Sequence, residues 1–336
     1  MIPQGTIRDG SRCSTAKAFL RLARMRKNLH VAMEAYVTKI LIEPSSKKAY
    51  GVEFVRNGKT LRVRANKEVI VSGGTINSPQ LLMLSGIGPK EHLKEHDIPV
   101  IQNLRVGHNL QDHISVGGLT FLVNEEIALV QSKLNNISNI LEYVIFGEGP
   151  WTTLGNVEGV AFIDTKYANA SDDFPDIQLL YYSSGQNNDI IRETRGLTRE
   201  FYYAVYGELQ DKDMWSVYPT LLRPKSRGVI KLRSNKPFDH PLIYPNYFKE
   251  PEDMVVLIEG VKVILEMSKT ASLRRYGSKM NPTSFPGCKH IPPKYSDSFW
   301  ECIAKFLPMT IYHPVGTCKM GPKSDAKAVV GPRLRV

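Results

Sequence analysis

Glu68 to Gly88, EVIVSGGTINSPQLLMLSGIG, narrows the possible folds of this chain more than any other run. Its opening burst, Val69-Ile70-Val71, has the composition of a buried parallel strand. Ser72-Gly73-Gly74 then interrupts it with residues that let the backbone turn sharply or approach a ligand. Ser78-Pro79 reads as a helix cap and first helical residue, because proline there gives up only an N–H that a helix start leaves unpaired. A short helix from Gln80 to Ser85 and a left-handed stop at Gly86 complete the unit. Strand, glycine turn and helix bring backbone N–H groups toward a bound anion. Taken alone, the run describes any βα turn of an α/β protein.

From the paired glycines through Asn77-Ser78-Pro79 to Ser85-Gly86-Ile87-Gly88, the same run resembles, without a break, the second signature of the glucose-methanol-choline (GMC) family of flavin oxidoreductases. Gly107-His108-Asn109-Leu110-Gln111-Asp112-His113 resembles the family's G-x-N-L-x-D-H segment, which lies near the flavin. LLRPKSRGVIKLRS and then HPLIYPNYF resemble the start of its C-terminal region, most closely in the insect glucose-dehydrogenase-like branch. The family also carries a strand followed by G-x-G-x-x-G, whose helix-start amides bind the FAD pyrophosphate, and a glycine- and serine-rich first signature. Neither stands in this sequence, and Gly86-Ile87-Gly88 follows a helix and cannot substitute. The family's second catalytic position, a His or Asn, falls beyond Val336. The resemblance therefore implies a fragment, the middle and later part of a GMC enzyme, in which Met1 is not the natural start.

Elsewhere the chain is read from its patterns. Ser14 to Arg26 is helical in period, with Ser14 as cap. Leu29 to Met33 and Tyr36 to Ile42 read as strands, and Tyr50 to Arg56 and Thr60 to Ala65 as a hairpin around Asn57-Gly58. Gly117 to Val123 is strand-like and Leu134 to Phe146 amphipathic. Three aromatic, alternating stretches follow: Ile177 to Tyr182, Phe201 to Leu209 and Trp215 to Arg223. Pro224 to Gly228 predicts a hairpin joining the last of these to Val229 to Arg233. A helix from Pro251 to Ser268 opens with Glu252 and Asp253, which suits its dipole. These patterns give antiparallel strands with helices, an α+β unit.

Composition excludes other classes. The chain is 42% apolar and 23% charged, as a globular protein is, and holds no apolar run of the roughly 18 residues that would cross a bilayer. The net charge of +11 is scattered; its densest stretch, Lys17 to Lys27, alternates with Phe19, Leu20 and Leu22 as the solvated face of a helix would. A nucleic-acid binder would rest on charge alone. Cys13, Cys288, Cys302 and Cys318 have no metal-ligand spacing, which argues against zinc, and leave one disulfide open. His108 and His113 suit a turn with satisfied side chains better than a metal site.

Near the end stands Tyr312-His313-Pro314-Val315-Gly316-Thr317-Cys318-Lys319-Met320-Gly321. A single histidine is more often structural than catalytic, but this segment resembles the one that carries the GMC catalytic histidine, and Val329 to Val336 resembles the run into the last flavin-contacting segment. The resemblance implies that His313 is the active-site base. Removing a hydride from a CH–OH carbon is easier once its oxygen loses a proton, and imidazole, with a reference pKa of about 6.5, suits that transfer near neutral pH. Thr317 and Tyr312 are candidates to orient it, and Cys318 reads as packing rather than nucleophile. The resemblance further places Val37 and Ser72-Gly73 beside the adenosine end of FAD and Asn109 near the isoalloxazine; by itself, Val37 reads as a buried strand residue.

The implied fold is α/β plus α+β: an incomplete Rossmann-like FAD-binding domain interleaved with a substrate domain built on an antiparallel sheet with helices. Its expected limits are 1–115 and 306–336 for the FAD part and 116–305 for the substrate part. The implied activity is FAD-dependent oxidation of a CH–OH group of a sugar or other alcohol, without a metal, with a quinone as a candidate electron acceptor. The insect-like branch suggests a secreted protein, while the residues leave the compartment open. The alternative is a non-catalytic truncated GMC-like chain that does not bind FAD, because the pyrophosphate loop is missing.

Overall fold

Asn57-Gly58 turns the chain with both residues at positive φ (51° and 71°), the conformation whose twist matches a two-residue hairpin. It pairs Ala49–Arg56 with Lys59–Arg64 in antiparallel register, Arg56 opposite Lys59. Tyr36–Ile42 adds the third strand of this sheet. The computed structural model describes residues 1–169, 171–185, 189–209, 212–283, 285–291 and 295–336. They form two units, each drawn from three stretches of chain. One comprises 30–112, 224–250 and 312–336, and the other 1–29, 113–223 and 251–311.

In the first unit the Gly74–Leu84 helix, the Tyr36–Ile42 strand and the loops after them share a core of Ile40, Leu82, Met83, Leu93, Ile98, Val106, Leu232 and Val329. Ser85 joins helix to strand, its buried hydroxyl donating to Leu81 O (2.6 Å) and accepting from Ile40 N (2.8 Å). The helix stops at Gly86 as expected, at φ +88°. Its start differs: it begins at Gly74, so Pro79 lies inside it rather than at its first position. Val69 to Val71 form no strand. Val69 and Val71 pack on the core while Ile70 is 78% exposed, so the alternation survives without a ladder partner among the described residues. Gly228–Lys231 pairs with Leu242–Tyr244 and His108–Leu110 in a second sheet. The hairpin expected at Pro224 to Gly228 is therefore absent; those residues connect strands of different sheets.

The second unit is built on a seven-stranded antiparallel sheet. Its main path runs Val157–Ile163, Ile177–Tyr182, Met214–Leu221, Thr120–Leu122 and Lys279–Met280; Ile114–Val116 pairs with Met214–Leu221 and with Pro308–Thr310. The Pro251–Ser268 helix packs on one face, with Gly260 over Ile177 and Pro219. Phe201 to Leu209 is not a strand but the helix Arg199–Tyr206 with one further turn. Thr198 caps it by accepting from Phe201 N (3.2 Å), and Tyr202, Val205 and Tyr206 are buried at helical spacing, which overrides the aromatic strand propensity.

Leu29 to Met33 also forms no strand, and Val31 and Met33 face solvent. Ser14 caps a wide turn, Ala16–Leu20, that continues as Arg21–Ala23, and neither piece buries a residue. Within the amphipathic stretch Leu134 to Phe146, a helix forms over Ile137–Phe146 between an Asn136 cap and a left-handed Gly147. Cys288 and Cys302 are disulfide-bonded, which settles the pairing that the residues left open, and Cys13 and Cys318 are thiols. No helix among the described residues is long and apolar enough to cross a membrane.

Candidate active site

The geometry around His313 starts from the misplaced proline. Inside a helix, Pro79 has no N–H to give to the carbonyl four residues earlier, Thr75 O. The buried Thr317 hydroxyl donates to that carbonyl instead, at 2.6 Å. Thr75 in turn donates from Oγ1 to Pro314 O at 2.7 Å. The vacancy in the helix ladder thus becomes a docking point for residues 314–317, in one reciprocal pair of hydrogen bonds.

The other side of the segment is held by the 107–112 strand region. Gln111 and Val315 exchange both backbone hydrogen bonds (2.9 and 2.8 Å), and Gly107 N donates to Thr317 O (2.9 Å). Asn109, itself at φ +65°, donates from Nδ2 to Gly316 O (3.0 Å). Gly316 needs to be glycine: its φ is +93°, and a Cβ there would stand 2.5 Å from Asn109 O. The carboxylate of Asp112 accepts from His313 N through Oδ1 (3.1 Å) and from the Tyr247 hydroxyl through Oδ2. Pro314 restricts the backbone of His313 from the other side. The histidine is thereby fixed at its main chain while the residue stays exposed to solvent.

Of the residues singled out by sequence, His313 and Asn109 come together in this clamp. Val37 lies on the edge strand Tyr36–Ile42, partly exposed, where the register skips a residue at Thr38. Such a bulge leaves backbone groups outside the ladder. Ser72 and Gly73 are exposed at the amino end of the Gly74–Leu84 helix, and Gly73 caps it without a side chain. This open helix end offers amide donors, and the strand edge offers backbone groups. Both are hydrogen-bonding groups of the kind that hold a nucleotide.

Thr317 is committed to Thr75 O. Cys318 packs against the core, and burial pushes its thiol up to about 11, so it holds no thiolate near neutral pH. His108 sits in the strand that pairs with Gly228–Lys231; burial first, then the charges of Arg105, Lys231 and His92, lower its pKa. No group of His, Cys, Asp or Glu among the described residues could hold a metal ion.

Three residues of the clamp have no role in the sequence reading. Thr75 and Asp112 stand inside quoted motifs, as the third residue of GGTINSP and the Asp of G-x-N-L-x-D-H, so a signal existed. Tyr247 likewise stands inside the quoted HPLIYPNYF, where it shares its type with Tyr244.

The family follows from comparison. Sequence models of the GMC oxidoreductases match residues 2–115 and 224–336. The chain belongs to the GMC oxidoreductase family. It is 38% identical over 340 residues to glucose dehydrogenase (FAD, quinone) of Drosophila pseudoobscura pseudoobscura, covering 100% of this chain and 51% of that protein. It is 37% identical to human mitochondrial choline dehydrogenase, covering 98% and 51%. The chain thus spans about half the length of the curated relatives it matches. Among solved structures, Aspergillus oryzae formate oxidase has a TM-score of 0.81 at 24% identity, covering 98% of this chain and 57% of that one. The fold is that of the family: helices with antiparallel sheets, in two interleaved units.

Proposed function

We propose that the protein carrying this chain is an FAD-dependent oxidoreductase of CH–OH groups, acting on a sugar or other alcohol, with His313 as the proton acceptor. The observation that carries this reading is the clamp: three segments, around Thr75, residues 107–112 and Tyr247, fix the main chain around one exposed histidine. Flavin, when bound, supplies a two-electron acceptor for hydride. His313 takes the hydroxyl proton at an imidazole nitrogen, and Asp112 and Thr317 hold the segment that presents it. With FAD bound, Ser72, Gly73 and Val37 would hold the adenosine end, and Asn109, which donates to Gly316 O, would face the isoalloxazine. The unit containing 30–112 and 312–336 serves the cofactor, and the sheet unit serves the substrate. The named relative supports a quinone as electron acceptor.

The test is anaerobic flavin reduction by a panel of sugars and alcohols in the full-length protein. Reduction that is lost in His313→Ala, with flavin still bound, supports the assignment; equal reduction rates in both proteins defeat it.

For the isolated 336-residue chain a second reading is favoured by Ile70, which is exposed beside two core-packed valines on a segment without a ladder partner among the described residues. We expect that chain alone to bind FAD poorly. A flavin spectrum at near one-to-one occupancy would contradict this.

A further inference from the structure

Three places in the chain set a Ser or Thr two residues after an Asn: Asn136-Ile137-Ser138, Asn169-Ala170-Ser171 and Asn281-Pro282-Thr283. The pattern is that of an N-glycosylation acceptor, and the middle proline closes the third to that chemistry. In the second, Ala170 lies outside the described residues, and Asn169 Nδ2 already donates to Asp172 Oδ2 (2.9 Å). The first is described in full.

Asn136 is extended (φ −65°, ψ 134°) just ahead of the Ile137–Phe146 helix, and both Asn136 and Ser138 are exposed. Asn136 Oδ1 accepts from Ser138 N (3.0 Å) and from the Ser138 hydroxyl (2.8 Å). The amide oxygen is therefore committed to the helix start, while Nδ2 makes no hydrogen bond among the described residues. An amide substituted at its nitrogen keeps its oxygen, so a sugar on Nδ2 leaves the helix cap in place. The helix that follows buries none of its residues, so a bulky group at its start displaces no core side chain.

An acceptor sequence is used only where the chain meets the machinery of glycosylation, and a separate observation bears on that. Cys288 and Cys302 are joined, and Cys288 is 0% exposed. Disulfides persist in the secretory pathway and outside the cell, whereas those of a reducing cytosol are mostly transient, catalytic or redox-sensing. A bond to a fully buried cysteine is a structural one, and it places the folded chain in an oxidising compartment.

We propose that Asn136 is an N-glycosylation site, modified in the same oxidising secretory compartment in which Cys288 and Cys302 pair. The donor is a lipid-linked oligosaccharyl diphosphate, and a host transferase catalyses the step. Asn136 Nδ2 forms a bond to the anomeric carbon, the bond from that carbon to the diphosphate oxygen breaks, and the amide gives up one proton. Nothing is oxidised or reduced. The glycan is bulky and solubilising, as a surface position requires. The site does not rest on the oxidoreductase reading above.

The test is mass spectrometry of the full-length protein made in eukaryotic cells, with and without peptide-N-glycosidase treatment in heavy-oxygen water. We expect the peptide containing Asn136 to carry a glycan, and to appear with a heavy-oxygen Asp at that position after the glycosidase. Asn136→Asp keeps the capping oxygen but lacks the acceptor nitrogen, and Ser138→Ala keeps the capped backbone N–H but lacks the hydroxyl. Each should lose the glycan completely, whereas Ser138→Thr should retain it. Should one of the first two fail to fold, the other carries the test, and the wild-type peptide decides on its own. An unmodified Asn136 overturns the proposal, whether the protein is exported or stays in the cytosol with free thiols at Cys288 and Cys302. A glycan found on Asn169 alone, or one that persists in Asn136→Asp, also overturns it.

Discussion

Around His313 the polar atoms that hold residues 312–317 are paired, down to a helix carbonyl released by Pro79 and taken up by Thr317. In the sheet unit the Tyr206 phenol, at 0% exposure, has no hydrogen-bond partner among the described residues, and the Arg195 guanidinium rests on the Tyr218 ring and the Met309 thioether. The first arrangement spends its hydrogen bonds on position and leaves a titratable side chain in solvent. The second leaves donors in a buried place where water competes poorly. A satisfied network orients a group, whereas a buried polar atom left unpaired costs stability.

The largest effect that separates the two regions is chemical. His313→Ala should lower the rate of flavin reduction by about 10²–10⁴-fold, the usual worth of a positioned base, without moving the melting temperature, because the residue is exposed. A comparable loss of stability would mean that the histidine is structural after all.

Next comes a covalent tie found in the sheet unit alone among the described residues. Cys302→Ser opens the disulfide to Cys288, 14 residues away, and should cost roughly 3 kcal/mol by thermal or urea unfolding. An unchanged unfolding curve would show that the bond does not form in the protein.

The clamp itself is tested by a cycle. Thr317→Val leaves Thr75 O without its donor and should cost about 1–3 kcal/mol. In a Pro79→Ala background residue 79 has an N–H for that carbonyl, so the same change should cost less. Additive effects would show that the hydroxyl does not replace the missing amide.

The smallest effect is electrostatic and belongs to the first unit. Burial lowers the pKa of both His92 and His108 below the ordinary 6.5. Their neutral forms are favoured by folding, so the stability they contribute is present above pH ~6.5 and is lost as pH falls through their lowered values. His108→Gln should flatten that acid limb of the melting-temperature profile; an identical slope in the variant would remove His108 as its source.

Much of this molecule is legible in its residues. Asn57-Gly58 demands a primed turn, Gly86 a left-handed stop, and the motifs around Asn77-Ser78-Pro79 and His313 name the family. Each of these is a local rule, satisfied by φ, ψ and neighbours a few residues away. Other readings failed where local rules conflict. Ser78-Pro79 is a good helix start by composition, but Pro79 is tolerated inside the helix because a threonine 242 residues from Thr75 supplies the lost hydrogen bond. Phe201 to Leu209 has strand propensity, but Thr198 caps it as a helix whose buried tyrosines meet the core at helical spacing. The sequence alone therefore determined the Asn57-Gly58 turn, the Gly86 stop, the family and the candidate base. The tertiary structure decided which cysteines pair, what Asp112 and Tyr247 hold, and which polar atoms are left without partners. Those are matters of who lies next to whom across hundreds of residues, and only the packed chain brings such groups within the 3 Å or so that a hydrogen bond requires.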